Sequence, residues 1–195
     1  AAKEVLFQKA EILTTRFNLV DERVEQVRGN LQEKVTDDIS KVENLLHKIT
    51  EFNSEIFKLE YKKKGLAVEL RDERQKAIEE LAELISIEMV QLNDSLMGVS
   101  AKTDAGDNVV LIDASGKVGS LINEDGQLAF DPSRGSIAGL LDSETAIDKL
   151  KNDNIDLLAA QLVKSVNEVY NDGTVGDFFD ATTNTAGGLK LDTAL

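Results

Sequence analysis

The sequence predicts an α+β fold, mainly α: a long antiparallel coiled-coil-like helical bundle carrying a small antiparallel β insert. Three observations predict it. Apolar residues step by three and four from Leu6 to Leu59, the signature of a sustained helical seam. The stretch 66–92 begins in a helical rhythm and ends in a strand rhythm, which joins two parts of one fold. Between residues 86 and 134 glycines become frequent and short apolar runs alternate with turn signals. The expected organisation is a discontinuous bundle over 1–85 and 135–171, a β insert over 86–134, and an irregular tail over 172–195 docking on the bundle.

The first helical region runs from Lys3 to about Tyr61. Leu6, Ala10, Leu13, Phe17, Val20, Val24, Val27 and Leu31 alternate steps of four and three. Two consecutive steps of four, through Val35 and Ile39, read as a stutter that locally unwinds a supercoil. The ladder resumes through Val42, Leu46, Ile49, Phe52, Ile56 and Leu59, with polar flanks at Glu22, Glu25, Glu33, Lys34, Asp37, Asp38, Lys41 and Glu43. Gly29 is the weak interior point, costing about 1 kcal/mol relative to alanine. No proline interrupts the run. One continuous helix about 85 Å long is expected at 1.5 Å per residue, with a break near Gly29–Asn30 as the alternative. Its single apolar seam requires cover from other helices.

Gly65, preceded by Lys62, Lys63 and Lys64, reads as a helix C-terminus, since glycine and cations suit that end. The lysines read as a solvated turn. A second helix, about Leu66–Leu84, follows through Leu70, Ala77, Ile78, Leu81 and Leu84. The short connection makes it antiparallel to the first. Its Asp72 and Arg74 are expected as exposed helix-surface pairs, each within about 1 kcal/mol.

The β insert has five candidate strands: Ser86–Leu92, Leu96–Lys102, Asn108–Ile112, Val118–Ile122 and Gln127–Phe130. Asp-Gly and Ser-Gly pairs between them suit the positive φ of tight turns. A last helix opens near Ser136, read as its N-cap, and continues through Ile137, Leu140, Leu141, Ile147, Leu150, Leu157, Leu158, Leu162, Val166 and Val169. Asn152, Asp153 and Asn154 are poor helix formers and are expected to bend it. Asn171–Asp172–Gly173 ends it. In the Gly/Thr-rich tail, Phe178–Phe179 reads as an anchor onto the helices.

Composition narrows the chemistry. A hydrophobic content of 42% with 30% charged residues suits an ordered chain. The net charge of −14 argues against nucleic acid or an anionic membrane as partner. The absence of cysteine excludes disulfides, thiol catalysis and thiolate metal sites. No apolar run approaches a membrane span, and no signal-peptide pattern is visible. The chain starts at Ala1 already in helical rhythm, which reads as a fragment whose termini lie elsewhere. The single histidine, His47, flanks the long seam among polar neighbours; no nucleophile elbow accompanies it, and one histidine cannot supply a carboxylate-bridged bundle metal site. Asn123, Asp125 and Gly126 match a fragment of a calcium loop without the terminal glutamate at its spacing, so a hairpin turn is expected there. No phosphate-binding glycine loop precedes a helix. No catalytic, cofactor-binding or metal site is assigned, and the chain is read as no enzyme.

Four segments carry a family resemblance: Leu13–Thr14–Thr15–Arg16–Phe17–Asn18; Leu70–Arg71–Asp72–Glu73–Arg74–Gln75 with Ile78–Glu79–Glu80–Leu81–Ala82; Gly135–Ser136–Ile137–Ala138–Gly139–Leu140–Leu141; and Leu158–Ala159–Ala160, Val166–Asn167 and Gly176–Asp177–Phe178–Phe179. In this order they resemble the helical core of the flagellar hook-associated protein 1 family. The sequence departs from that pattern at Glu73, where the family has Gln, at Glu79, where it has Asp, and in its Lys-rich connector. The family's terminal helices are expected to lie outside this sequence.

The resemblance implies a structural protein that joins hook to filament by lateral subunit packing and transmits torque. It implies as partners the hook protein, the second junction protein, copies of itself, and the export machinery and a chaperone for the full-length protein. It places the protein outside the cell, in the flagellum, exported without a cleaved signal peptide. It implies no cofactor, no nucleic acid and no membrane insertion. The polar faces with Asp37, Lys41, Glu43 and Lys48 are the expected subunit contacts. The alternative is a coiled-coil sensor or adaptor domain of a bacterial signalling protein, and a third reading is a carboxylate-based hydrolase using the acidic turns.

Overall fold

Helix α1 runs without interruption from Ala2 to Glu60 in the computed structural model, which describes residues 2–61, 63–124, 127–171 and 176–192. It passes through Gly29, where an added Cβ would meet nothing within 4 Å. The glycine is therefore an exposed defect tolerated by its neighbours, and the helix is continuous as expected, without the alternative break at Gly29–Asn30. The remaining elements are α2 (Val68–Leu84), β1 (Ile87–Gln91), β2 (Met97–Lys102), β3 (Asn108–Ile112), α3 (Ser136–Lys149), a π-helical stretch (Leu150–Asp156) and α4 (Leu157–Tyr170). The fold is mainly helical with one small antiparallel sheet. The chain divides into two units, one of Ala1–Gln32 with Ser143–Leu195 and one of Glu33–Asp142.

In the unit of residues 33–142, α2 lies antiparallel to α1: Arg71 bonds to Glu60 and Arg74 to Asn53, so rising numbers on α2 meet falling numbers on α1. The seam residues Val42, Leu46 and Ile49 share one core with Ile78, Leu81 and Ile85 of the α2 end. The sheet has the order β1-β2-β3. Val99 and Ala101 of the central strand, and Leu111 and Ile112 of β3, enter the same core. Ile87 pairs with Ala101 and Gln91 with Met97 across β1 and β2; a bulge at Val99/Ser100 shifts the register against β3.

Two expected strands do not form. Residues 118–122 and 127–130 make only single bridges, Ile112 with Val118 and Ile122 with Leu128. Two features prevent a longer ladder. The Ser120 hydroxyl donates to the Ile122 carbonyl at 2.8 Å, occupying an acceptor a ladder would use. At Gly119 an added Cβ would lie 2.9 Å from the Val110 carbonyl oxygen, so the chain crosses β3 too closely for an ordinary pleat.

Ser136 is not the N-cap of the last helix. It is the first residue of α3, and its hydroxyl donates to Asp38 Oδ2 at 3.2 Å. Asp38, expected on a polar flank, is buried and also bonds Lys41 at 2.7 Å. The turn belongs to Gly135, with φ of +104° and a would-be Cβ 2.4 Å from the Leu84 carbonyl oxygen. Only glycine satisfies both constraints.

In the other unit, the expected bend at Asn152–Asn154 is a widening of the helix to π geometry over Leu150–Asp156. Lys151, on the widened turn, reaches Asp21 at 3.3 Å and also bonds Glu25. Arg28 meets Asp148 at 3.2 Å. Ion pairs to α1 thus compensate for the weak helix propensity of this stretch. The last helix ends at Tyr170, with the Asn171 amide donating to the Asn167 carbonyl. Asp172 and Gly173, the expected terminator, lie outside the described residues, as do Lys62 of the basic connector and Asp125–Gly126 of the acidic turn.

The two glycines should respond oppositely to alanine. Gly29→Ala should raise stability by about 1 kcal/mol, whereas Gly135→Ala should lower it by about 2 kcal/mol or more. Chemical denaturation of the two variants measures both signs.

Candidate interaction surface and the clamps that hold it

The described residues hold no group of His, Cys, Asp or Glu arranged to take a metal ion. His47 is exposed on α1. Asn123 closes a turn by accepting the Gln127 amide at 3.0 Å. Asp113 closes another, accepting from the Ser115 amide and hydroxyl and the Lys117 amide. Those bonds, the Ser115 hydroxyl first, hold its carboxyl below the usual range. The Asp113 carboxylate is thus engaged by its own turn.

The polar groups that matter structurally are buried. Asn53 on α1 donates its amide to the Met97 carbonyl at 3.0 Å and accepts the Met97 amide at 3.3 Å. Its Oδ1 also accepts from Arg74 at 2.7 Å, and Arg74 donates a second bond to the Ser95 carbonyl at 2.7 Å. Arg74 is therefore not the exposed surface partner expected from sequence; it is buried, while Asp72 is exposed. Its acceptors are neutral dipoles, and burial, then the neighbouring Arg71, pushes its pKa down.

Glu60, the last residue of α1, is equally unexpected. Its Oε1 accepts the amides of Gly65 and Ala67, both at 3.1 Å, and Oε2 accepts from Arg71 at 2.6 Å. The Arg71 bond, then the Ala67 amide, lowers its pKa. A carboxylate from one helix thus caps the start of the next, which lacks a side-chain cap of its own. Lys63 is exposed, and Lys64 pairs with Asp94.

In the other unit, Asn167 of α4 plays the corresponding part. Its Oδ1 accepts the amides of Phe178 and Phe179 at 3.0 and 2.9 Å, and its Nδ2 donates to the Phe179 carbonyl at 2.8 Å. Both rings are buried with Ala10, Val163 and Leu189. Phe178 stacks on Phe7 at 5.6 Å and meets Tyr170 edge-on at 5.1 Å. Beyond them Asp180 accepts the Thr182 hydroxyl and amide and pairs with Lys190. These bonds, the hydroxyl first, lower its pKa from 3.8 to about 2.

What remains uncovered is the outer side of the α1 ladder. Alternate rungs, Ala10 and Val24, are buried, but Leu6, Leu13, Val20 and Val27 are 51%, 37%, 44% and 45% exposed. These four recur at seven-residue spacing. A groove of about 630 Å³ runs beside them, lined by Leu6 and Leu13 of α1 and Leu162, Val166 and Val169 of α4. A second, of about 300 Å³, continues from Leu13 past Val20 and Leu158. Both grooves are lined mainly by apolar side chains.

Residues 1–187 match the family model described as the flagellar hook-associated protein FlgK helical domain. The chain belongs to this family. It is the helical domain of a structural flagellar protein. Its fold is similar to the flagellar hook junction protein FlgK from Burkholderia pseudomallei, with a TM-score of 0.61 and 16% identity over 85% of this chain. The alignment spans 33% of that protein, so this chain corresponds to about a third of its length. A search of curated proteins finds no match. No helix among the described residues is long and apolar enough to cross a membrane.

Replacing Asn167 by Leu strips the Phe178 and Phe179 amides of a buried acceptor and should cost about 2–3 kcal/mol in chemical denaturation. The tail should also respond to acid. Asp180 has a folded pKa of about 2 against 3.8 unfolded, so the unfolded state binds the proton first. Its contribution is complete above pH of about 4 and is lost as pH falls towards 2. Amide exchange at Thr182 should speed up across that window, and Asp180→Asn should remove the dependence.

Proposed function

We propose that this chain helps join the flagellar hook to the filament, by packing laterally with neighbouring subunits and passing torque between them. The observation that carries this reading is the uninterrupted 59-residue helix α1 in a hook-associated helical domain. Within one unit Glu60 and Asn53 tie α1 to its neighbours, and within the other the Lys151 ion pairs do so. The exposed apolar rungs of α1, and the exposed Asp37, Lys41 and Lys48 with half-buried Glu43, supply faces for neighbours. The neighbours would be the hook protein, the second junction protein and copies of this chain. The full-length protein would reach the outside of the cell through the flagellar export apparatus, with a chaperone and without a cleaved signal peptide. It would act mechanically, without catalysis.

The sensor or adaptor reading requires neither a β sheet nor a tail anchor. The chain invests a three-stranded sheet and two buried phenylalanines in these, which favours the axial role.

In-frame deletion of the gene should leave cells with hooks that lack filaments under electron microscopy; full filaments on those hooks would sink the proposal. Complementation with Phe178→Ala/Phe179→Ala should restore motility poorly, because each truncation costs about 3–5 kcal/mol. Wild-type swimming with unchanged thermal stability would count against the anchor.

A further inference from the structure

The three-stranded sheet is closed along one edge and open along the other. On the outer side of β3, the Gly119 amide donates to the Leu111 carbonyl at 2.9 Å and the Asp113 amide to the Lys117 carbonyl at 3.1 Å. Among the described residues no strand or bridge covers the outer side of β1. The Lys102 amide donates to the Ser86 carbonyl and the Leu92 amide to the Leu96 carbonyl. Even-numbered residues of β1 therefore face β2, and the amides and carbonyls of Ile87, Met89 and Gln91 point away from the sheet. Cover from the segment before α3 stops at the Ser86 amide, which donates to the Arg134 carbonyl at 3.0 Å. Beyond it Glu88, Met89, Val90, Gln91 and Leu92 are all exposed. Edge strands are ordinarily guarded by proline, lysine or a bulge. β1 has neither residue, and the sheet's bulge lies between β2 and β3. The one charge on β1, Glu88, is engaged within the sheet by Asn108 at 3.0 Å and Lys102 at 3.7 Å.

We infer that β1 is a pairing edge for β1 of a second copy, antiparallel about a two-fold axis at Met89, which joins the two sheets into one. The strand's own sequence selects this occupant. With Met89 opposite Met89, Ile87 lies opposite Gln91, so every outward amide and carbonyl of β1 meets a partner. Glu88 then lies opposite Val90, and no charge faces its like. Centring the pair on Glu88 instead sets two carboxylates directly opposite each other, which is destabilising. Centring it on Val90 leaves Ile87 outside the ladder. A five-residue edge buries less than the roughly 1,200 Å² of a stable interface, so the dimer is weak and forms at high chain concentration. It is two-fold and closes on itself. It is therefore a different contact from the lateral packing proposed above, and does not depend on it.

Sedimentation equilibrium of the whole chain, carried up to about 1 mM, should show a reversible dimer. The chain has no cysteine, so single substitutions report the register. Met89→Cys should give a disulfide-linked dimer on oxidation, since directly opposed residues lie about 5.5 Å apart, within disulfide reach. Glu88→Cys and Val90→Cys should cross-link at least about tenfold more slowly. Met89→Pro removes an amide that bonds nothing within the sheet; it should keep the circular dichroism of the parent and abolish the dimer. Val90→Lys places a cation opposite each Glu88 and should tighten the dimer about threefold or more, a gain that a misfolded variant cannot show. A chain that stays monomeric throughout, equal cross-linking at all three positions, or a dimer that Met89→Pro leaves intact would overturn the proposal.

Discussion

Irregular backbone can lie against a helix only if its amides and carbonyls find partners, and in this protein two buried asparagines provide them. Asn53 bonds both the amide and the carbonyl of Met97. Asn167 does the same for Phe179 and adds the Phe178 amide. A carboxamide presents one acceptor and two donors in a plane, so it can meet a peptide unit much as a neighbouring strand would. Each bond is worth about 1 kcal/mol net, but an unmet buried group costs more. The consequence is positional. Asn53 fixes where β2 begins, and through Arg74 it also fixes the turn at Ser95. Asn167 fixes the two rings that close the core of the other unit.

The same logic governs the charged groups. Glu60 and Arg71 neutralise each other while the Glu60 carboxylate also accepts the amides of Gly65 in the connector and Ala67 just before α2. Arg74 makes no ion pair among the described residues and is held by carbonyl dipoles of Asn53 and Ser95. Lys151 compensates for a π-helical stretch that asparagine and aspartate would otherwise weaken. Lys9, Arg16 and Arg23 are exposed on the same stretch of α1 as the exposed Leu6, Leu13 and Val20.

The helices were legible because their signal is periodic: the ladder from Leu6 to Leu59 and the seam of α2 require no knowledge of partners. The first three strands were legible for the same reason. The segments around Gly119 and Ser120 misled because alternation there reflects burial of Leu121 and Phe130 without a ladder. The π-helical stretch was visible as weak helix propensity at Asn152–Asn154, but its resolution by Lys151 depended on α1 residues over a hundred positions away. The asparagine clamps were the least legible. Asn53 sits beside an apolar ladder as any polar flank does, and nothing local marks Arg74 as buried. Val166–Asn167 and Gly176–Asp177–Phe178–Phe179 stood out only as separate family markers; the hydrogen bonds between them give the physical reason the two motifs accompany each other. The ladder also did not say which rungs are covered here: Ala10 and Val24 are buried while Leu6, Leu13, Val20 and Val27 are exposed, since a seven-residue repeat does not say which of its two rows is covered.

Amide hydrogen exchange on the intact chain, read at Met97, Phe178 and Phe179, tests the asparagine clamps most directly. These amides lie in a strand end and an irregular tail, where fraying alone would make them exchange early. If the clamps hold the chain as described, all three will be protected to the same degree as the buried amides around Ile49 and Val163. Exchange at the rate of exposed turn amides such as Ala105 would contradict the account.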